Sequence, residues 1–318
     1  MAGLDSQRSR RSWSRRWASG CGVAAGLVGA VNAHPGLLVV PNASFELPAT
    51  PFVNVDIAEW EEAPKPPWFD ENAGFTWDQL TGVFKNTAPG APDHITNLHG
   101  NQAAWLFARP DVAIYQDYET IGGGASEPSR AFDVRFEEGR AYRLTVGVIG
   151  GGGNMSEGAT IELRLYYRDP EGRRVPVAVA PVVHSLAVFP TRTRFVDFSL
   201  VAPPARASDP WAGRHLGVEI RSVVGFELEG GFWDLDHVRL ETLDPPVLTA
   251  ARVANGQFRF TVRAAAETRC EVLVAPDPAA PEANWTVAGT LDLPTGEAEW
   301  VEPLAATGPR FYRARLLF

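Results

Sequence analysis

The sequence predicts an all-β protein, built as an antiparallel jelly-roll β-sandwich followed by a small immunoglobulin- or fibronectin-like β-sandwich. Three observations support this fold class. Apolar and polar residues alternate with a period of two in many short segments, most clearly at 142–148 and 161–167. The 30 glycines and 26 prolines follow no period and separate these segments. No segment carries a helical apolar stripe longer than about two turns.

Residues 1–33 have the features of an export signal peptide. Five arginines precede a weakly apolar run at 21–31, and residues 31–33 (VNA) offer small side chains for cleavage. This run is much shorter than a membrane helix of roughly 20 residues, so we expect no membrane span. Residues 9–13 (SRRSW) resemble a twin-arginine signal, although the two residues that follow are not apolar. The predicted location is therefore secreted, periplasmic or in the cell envelope.

The net charge of the chain argues against a nucleic-acid partner. Without residues 1–33 the chain carries 24 basic and 37 acidic residues, a formal charge of −13. Because phosphate backbones bind basic surfaces, we expect no nucleic-acid partner.

Without residues 1–33, Cys270 is the one remaining cysteine, so no intrachain disulfide can form. Its alternation with apolar neighbours predicts a buried core thiol.

The jelly-roll domain is predicted at 37–242, where period-two alternation recurs. Turn-forming residues bound each short apolar segment, as expected for strands joined by loops. Many short strands with long connections fit two antiparallel sheets better than alternating strands and helices. The first and last strands are expected at 42–46 and 233–241, with others at 103–107, 112–116, 142–148, 161–167, 194–201 and 215–221.

A second domain is predicted at 247–318. Residues 243–246 (LDPP) mark the boundary, because tandem prolines remove backbone donors and stiffen the link. The number and length of the strands that follow suit a small immunoglobulin- or fibronectin-like sandwich. These strands are expected at 247–253, 257–262, 269–275, 285–288 and 310–316.

The segment from 48 to 100 differs from its surroundings. It alternates little and carries three tryptophans and seven acidic residues between 56 and 78. Structureless loops of this length are uncommon in compact domains, and they are often lids or binding loops. The alternative is that the tryptophans plug one open end of the sandwich.

Sugar binding requires flat aromatic faces together with carboxylates and amides that bind hydroxyl groups. Core packing is the alternative for the tryptophans, and it is favoured for Trp105, which lies within an apolar strand. For Gln116 the favoured alternative is an inward-facing hydrogen-bonding role. The predicted ligand-binding residues are Trp60, Trp68, Trp77, Asn101, Gln102 and Gln116.

The last strand of the large domain predicts a β-bulge. Trp233 and Leu235 occupy odd positions, whereas the next two apolar residues occupy even ones, so one extra residue is expected near Asp236. A bulge re-aims side chains and frees a carbonyl group, which suits an oxygen-rich calcium site. Glu46 and Asp236 are the predicted calcium ligands. The alternative is that Asp236 caps a turn and that Glu46 is solvated.

Several short motifs resemble the galactose-binding-like jelly rolls of CenC-type carbohydrate-binding modules. They lie in the expected order at 42–48 (NASFELP), 100–105 (GNQAAW), 142–146 (YRLTV) and 232–240 (FWDLDHVRL), together with Gln116. The resemblance covers about residues 37–242. It implies carbohydrate binding and a structural calcium ion between the first and last strands, held here by Glu46 and Asp236. Stig cyclases look similar over the same stretch, so the fold does not exclude catalysis.

The C-terminal segment resembles, more weakly, the small β-sandwich modules that end secreted proteins of planctomycete and verrucomicrobial type. This resemblance rests on residues 257–262 (QFRFTV), Trp285 and residues 310–315 (RFYRAR). It implies a role as a spacer or in attachment to the cell envelope.

No catalytic residue is assigned. The acidic cluster at 56–78 holds too many carboxylates to single out a glycosidase pair. The histidines show no metal-ligand spacing, and no nucleophile elbow is present. Glycines 150–153 lack the continuation of a phosphate-binding loop, so a flexible loop is predicted there.

The leading hypothesis is a secreted, non-catalytic carbohydrate-binding protein with a structural calcium site, whose partner is a polysaccharide or another glycan. One rival is an enzyme on the same scaffold, either glycan-active or with cyclase-like acid catalysis. It would require a carboxylic acid with a raised pKa in an enclosed apolar pocket. A structural envelope or matrix protein that recognises other proteins is the second rival.

Overall fold

The computed structural model describes residues 36–122, 125–304 and 308–317, so the predicted export signal at 1–33 lies outside them. Apart from three short 3-10 helices, the regular structure of these residues is entirely strand, which confirms the all-β fold class. The helices are Glu71–Ala73, Trp77–Leu80 and Glu282–Asn284. The strands are β1 (Leu37–Leu38), β2 (Val53–Asn54), β3 (Glu61–Glu62), β4 (Thr81–Lys85), β5 (Gln102–Phe107), β6 (Ala113–Gln116), β7 (Ala141–Gly152), β8 (Thr160–Arg168), β9 (Arg174–Val183), β10 (Val196–Ala202), β11 (Gly217–Ser222), β12 (Phe232–Leu243), β13 (Val247–Ala254), β14 (Gln257–Arg263), β15 (Thr268–Ala275), β16 (Thr286–Leu293), β17 (Glu297–Pro303) and β18 (Phe311–Leu316).

Strands β1 to β12 form two antiparallel sheets. The seven-stranded sheet has the order β10-β7-β12-β5-β4-β2, with β1 paired to the second half of β12. The five-stranded sheet has the order β3-β6-β11-β8-β9. Their inner faces enclose one hydrophobic core, in which Phe45, Leu144, Leu163, Ile220 and Trp233 are fully buried. Each large apolar side chain buried in this way contributes about 1.5–3 kcal/mol, so the two sheets stabilise each other as a β-sandwich.

The period-two pattern explains why these segments are strands. In β8 the side chains of Ile161, Leu163 and Leu165 enter the core, whereas Glu162 and Arg164 lie on the outer face. Each strand candidate between 103 and 241 overlaps a strand of the structure. The alternation of apolar and polar residues therefore identified strands with one face in the core and the other toward solvent.

The predicted first strand at 42–46 is instead a turn and a short irregular segment. Asn42 (φ 48°) and Phe45 (φ 55°) have left-handed backbone conformations, which are incompatible with a regular strand. The Asn42 side chain stabilises the turn, because its Oδ1 accepts a hydrogen bond from the Leu47 amide (3.0 Å) and its Nδ2 donates one to the Ala58 carbonyl (2.8 Å). The first strand is β1, which pairs with β12.

Six strands of the described residues, β1, β2, β3, β4, β9 and β17, were not among the sequence candidates. Strand β9 carries Pro176 and Pro181, which remove amide donors and argue against a strand. It forms the edge of the five-stranded sheet, where missing donors can face away from the ladder. The edge position of β9 therefore allows a strand to form despite its two prolines.

Glycines 150–152 extend strand β7, so the predicted flexible loop is wrong for them. A Cβ atom at Gly150 would lie 2.8 Å from the His184 ring and 2.9 Å from the Trp233 ring. Aromatic side chains from neighbouring segments occupy the space that a side chain would need. Glycine is therefore required by close packing there.

The predicted β-bulge in β12 is confirmed. Asp236 pairs with Gly147 of β7, whereas Arg239 pairs with Thr145, so β12 has one more residue than its partner over this interval. His237 takes up the extra length with φ 51°. The change in apolar parity thus located this irregularity correctly.

Strands β13 to β18 form two three-stranded sheets, with the orders β13-β14-β17 and β16-β15-β18. Phe260, Val262 and Cys270 are buried in one apolar cluster that also includes Leu243 of β12. Cys270 is buried as predicted, and burial raises the pKa of its thiol to about 11. The domain limits at 37–242 and 247–318 and the immunoglobulin or fibronectin type stay predictions. Within the described ranges, no helix has the length and apolar character needed to cross a membrane.

Candidate functional site

Trp68 and Phe226 form an exposed aromatic corner at one end of the sandwich. Trp68 follows β3 and is 39% exposed, and Phe226 lies in the connection between β11 and β12 and is 61% exposed. Their ring centroids are 5.0 Å apart and the rings are nearly perpendicular, at 83°. Of the three tryptophans predicted from the segment at 48–100, Trp68 is the one with a substantially open side chain.

Buried aromatic rings hold Trp68 in place. Its ring contacts Phe69 and Trp77 edge-on, with centroid distances of 5.9 and 6.4 Å, and these two rings are 5.0 Å from each other. The Trp77 indole N–H donates a hydrogen bond to the Ala63 carbonyl oxygen (2.6 Å). Because edge-to-face aromatic packing is directional, the base of the aromatic corner is rigid before any ligand arrives.

Polar contacts orient the Trp68 ring and connect the corner to the five-stranded sheet. The Trp68 indole N–H donates to Asp111 Oδ2 (3.3 Å), and the other oxygen of Asp111 accepts from the Arg221 guanidinium. Arg221 lies on β11 and faces away from the core. The corner therefore combines an open ring with a carboxylate and a guanidinium group at its side.

A polar face extends from the corner across the outside of the five-stranded sheet. Tyr115 of β6, Glu219 of β11 and Arg164 of β8 lie side by side in register. The buried Glu219 carboxylate accepts hydrogen bonds from Arg164 (3.1 Å) and from Arg174 (3.0 Å), and the Arg174 guanidinium lies 3.8 Å from the centre of the Tyr115 ring. Paired charges in this geometry are fixed rather than free to rearrange.

Trp60 and Trp77 face the interior instead. Trp60 is 2% exposed, packs 5.3 Å from the Phe45 ring and donates its indole N–H to the Asn42 carbonyl (3.3 Å). A buried ring offers no face to a sugar, so packing accounts for Trp60 and Trp77. Trp105 lies half-buried against Gly82, where a Cβ atom would approach its ring to 2.2 Å.

The predicted amide ligands serve the fold. Gln102 is buried, accepts a hydrogen bond from the Thr50 amide (2.6 Å) and donates to the Phe45 carbonyl (3.0 Å). Gln116 is also buried and donates to the Pro41 carbonyl (3.0 Å), which matches the inward-facing alternative. Asn101 is exposed, and its backbone N–H donates a hydrogen bond to Glu46 (2.8 Å).

Four acidic residues of the segment at 48–100 line a small cavity of about 170 Å³: Asp56, Glu61, Glu62 and Asp78. Glu62 enters it from β3, beside Trp60 and Ile114, and Asp56 and Asp78 lie at its walls. Burial raises the pKa of Glu62 to about 8, a hydrogen bond from the Thr81 side chain lowers it, and Asp78 raises it further. This is a carboxylic acid that stays protonated at neutral pH.

Asp236 is placed at the β-bulge near Glu46. It is 1% exposed, and its two oxygens accept hydrogen bonds from the backbone amides of His99 and His237 (both 2.6 Å). Burial raises the pKa of Asp236 to about 7, the two amides lower it, and the nearby Glu46 carboxylate raises it. Two carboxylates thus share a site in which one is desolvated.

Glu46 is held by main-chain donors. Its Oε1 accepts hydrogen bonds from the backbone amides of Asn101 and Gln102 (both 2.8 Å). Among the residues that the structure describes, no group of three or more histidine, cysteine, aspartate and glutamate side chains is placed to hold a metal ion. A calcium site at Glu46 and Asp236 would therefore need main-chain carbonyl oxygens to complete it.

No family model and no curated protein matches the chain. The solved structures similar to this chain include a Stig cyclase from Fischerella sp. TAU, with 18% identity and a TM-score of 0.46 over 66% of this chain and 98% of that one. Another is the CBM22-1 xylan-binding domain of Xyn10C from Paenibacillus barcinonensis, with 15% identity and a TM-score of 0.34 over 63% of this chain and 91% of that one. These similarities concern the β-sandwich and assign no activity to this chain.

The sequence indicated Trp68 but not its partners. Phe226, Asp111 and Arg221 come from connections and strand ends that are distant in sequence. One usable signal was the alternation in β11, which places Glu219 and Arg221 on the outer face. The contact between these residues and Trp68 depends on how the loops fold back over the sheet.

Proposed function

We propose that this is an exported, non-catalytic protein that binds a glycan at the aromatic corner. The observation that carries the proposal is the open but rigidly supported Trp68 ring, held by Phe69 and Trp77 and oriented by Asp111. The C–H groups on one face of a sugar ring pack well against an indole face. A site already fixed in its binding conformation loses little entropy when the ligand arrives.

The polar groups beside the corner match the remaining needs of a sugar. Asp111 offers carboxylate acceptors and Arg221 offers planar donors, and the ion pair between them holds both side chains in place. The hydroxyl groups of a sugar can donate hydrogen bonds to Asp111 and accept them from Arg221. Phe226 adds a perpendicular apolar wall, so the ligand contacts the corner on two sides.

The test is retention of residues 34–318 on a panel of insoluble and soluble polysaccharides, measured by depletion and by affinity electrophoresis. Trp68→Ala is expected to weaken binding about thirtyfold, which corresponds to about 2 kcal/mol for a central aromatic contact. Phe52→Ala is a matched control, because Phe52 is an exposed aromatic residue away from the corner. Binding that is equal in the wild type and the Trp68 variant would contradict the proposal.

We also propose that Glu46 and Asp236 hold a structural calcium ion at the β-bulge. The support is the pairing of two carboxylates, one of them desolvated with its pKa raised to about 7. A bound divalent cation would offset both negative charges and stabilise the native state by selective binding. The expected result is a higher Tm in calcium than in chelator, with Asp236→Asn abolishing the difference. Identical Tm values in calcium and chelator for the wild type would exclude the site.

Export is proposed on the arginine-rich, weakly apolar leader at 1–33. Expression of the full chain in a bacterial host, followed by mass spectrometry of the exported fraction, is expected to recover a chain that begins near residue 34. Recovery of the uncleaved chain from the cytoplasm alone would count against export.

The Glu62 cavity favours an enzyme as the second candidate function. A protonated carboxyl beside the apolar Trp60 and Ile114 side chains has the environment of a general acid. If the protein is an enzyme of this kind, turnover of a glycan or of an acid-sensitive polycyclic substrate should disappear in Glu62→Gln while polysaccharide binding persists. Undiminished turnover in this variant would eliminate Glu62 as the acid.

A further inference from the structure

A second cavity lies at the opposite end of strand β6 from Asp111. Its volume is about 370 Å³, and three chain segments line it: 117–119, 166–172 and 214–215. We call it the terminal pocket. It shares no lining residue with the aromatic corner.

Two stacked rings form one rigid part of its wall. Tyr118 and His215 lie 4.1 Å apart and only 3° from parallel, and the His215 ring is anchored by a contact of 3.0 Å between its Nε2 and Asp133 Oδ1. The Arg130 guanidinium donates to the Tyr118 hydroxyl (3.2 Å). These contacts fix the orientation of the two rings without help from a ligand.

The buried charge of the pocket is already neutralised. Asp117 is 5% exposed, and its Oδ2 accepts hydrogen bonds from the Tyr166 hydroxyl (2.5 Å) and from Arg168 Nε (2.8 Å). Burial raises the pKa of the Tyr166 hydroxyl, so this group remains a donor. Asp169 at the rim is paired with Arg173 (2.7 Å). The floor and rim therefore carry no net charge that would demand an ionic ligand.

Two charged side chains of opposite sign remain for a ligand. In the part of the chain that the structure describes, Arg214 and Glu119 have no side-chain hydrogen bond or ion pair, although both line the pocket. An anion would face Glu119 and Asp117, and a cation would face Arg214 and Arg168. A neutral ligand that both donates and accepts hydrogen bonds satisfies both signs.

We propose that the terminal pocket binds a mono- or disaccharide, or the end of a glycan chain. The inference deepens the proposed glycan-binding function and rests on it for the ligand class. A cavity of this volume suits a small ligand rather than a long polymer segment. Neutral hydroxyl groups suit the opposed Arg214 and Glu119, and the Tyr118 and His215 pair supplies the rigid wall.

The test is isothermal titration of residues 34–318 with a panel of neutral mono- and disaccharides. At least one saccharide is expected to bind, and Arg214→Ala and Tyr118→Ala are each expected to weaken it at least tenfold. Arg206→Ala is the matched control, because Arg206 is exposed and lies outside the pocket. Glu119→Gln provides a milder variant that removes the acceptor charge, and thermal unfolding verifies that every variant is folded.

The outcomes separate this inference from the proposed function. Saccharide binding that is lost in the Arg214 and Tyr118 variants but kept in Trp68→Ala supports the pocket. Polymer binding that depends on Trp68, with no saccharide bound by the wild type, overturns the pocket and leaves the aromatic corner standing. Saccharide binding unchanged in Arg214→Ala, Tyr118→Ala and Glu119→Gln also overturns it. If saccharides bind at the pocket and polysaccharide binding is the same in the wild type and Trp68→Ala, the terminal pocket is supported and the aromatic corner is refuted as the polysaccharide site.

Discussion

Replacing Glu62 with glutamine tests the physical account of the acidic cavity. Glu62 reaches the cavity from β3, and its Oε1 is buried without a hydrogen-bond partner in the described structure. Burial is the main cause of its pKa of about 8, compared with an ordinary value of 4.5. Glutamine keeps the size and polarity of the side chain but never ionises, so the variant isolates the cost of the negative charge.

The sign of the effect follows from proton binding. Between pH 4.5 and 8 the folded protein binds a proton at Glu62 that the unfolded chain does not, so the free energy of unfolding falls as pH rises through this window. The contribution is fully present below pH 4.5 and is lost above pH 8. At about 1.4 kcal/mol per pH unit the loss has an upper limit of about 5 kcal/mol. Since Glu62 is only half-buried, solvent screening reduces this cost, and we expect about 2 kcal/mol.

Urea unfolding at pH 5, 7 and 9 measures this difference. The stability of Glu62→Gln relative to the wild type is expected to rise by about 2 kcal/mol between pH 5 and pH 9. Asp56→Asn is the matched control, because Asp56 lies at the same cavity but is exposed, and its replacement should leave the pH dependence unchanged. Parallel pH profiles for the wild type and Glu62→Gln would refute the claim that Glu62 is protonated in the folded protein.

Two further substitutions and one labelling experiment test the packing. Leu163→Ala should lower the free energy of unfolding by about 2–5 kcal/mol in urea titrations, because it opens a cavity between the sheets; a loss below about 1 kcal/mol would contradict its burial. Gly217→Ala should cost about 1–3 kcal/mol and weaken saccharide binding at the terminal pocket, because the new methyl group would lie 2.3 Å from the Tyr166 ring; unchanged stability and binding would show that the ring moves aside freely. Cys270 should react with a thiol reagent only on unfolding, since it is buried with a pKa of about 11, and rapid labelling of the native protein would argue against that burial.

Much of the fold could be predicted because alternate side chains of a strand face the core, which gives the strand sequences an apolar period of two. Ile161, Leu163 and Leu165 reveal β8 in this way, and the parity change around Asp236 reveals the bulge. The signal fails where position in the sheet decides the outcome. Edge strand β9 tolerates Pro176, which no local rule for a strand anticipates.

The candidate site was less predictable, because exposure is a tertiary property. Trp60, Trp68 and Trp77 occur in one segment of similar composition, yet two of them are buried and one is open. Whether a tryptophan reaches solvent depends on which partners the loop meets, here Phe45 for Trp60 and Phe226 for Trp68. Composition could indicate an aromatic site in this segment, but it could not select the ring.

The two outer faces of the sandwich explain why the ligand sites are expected on the five-stranded sheet. On the seven-stranded sheet, Ile149 is covered by Ile95 and Phe195, and the Asn97 side chain binds the Phe195 backbone through both its oxygen and its nitrogen (2.8 and 3.1 Å). On the five-stranded sheet, Val179 is exposed, and Arg164 and Arg174 are paired with the buried Glu219 in a fixed layer of charges. The aromatic corner and the terminal pocket flank the two ends of β6, about 20 Å apart at the usual rise of a strand. A glycan that contacts both sites must therefore run along the polar face.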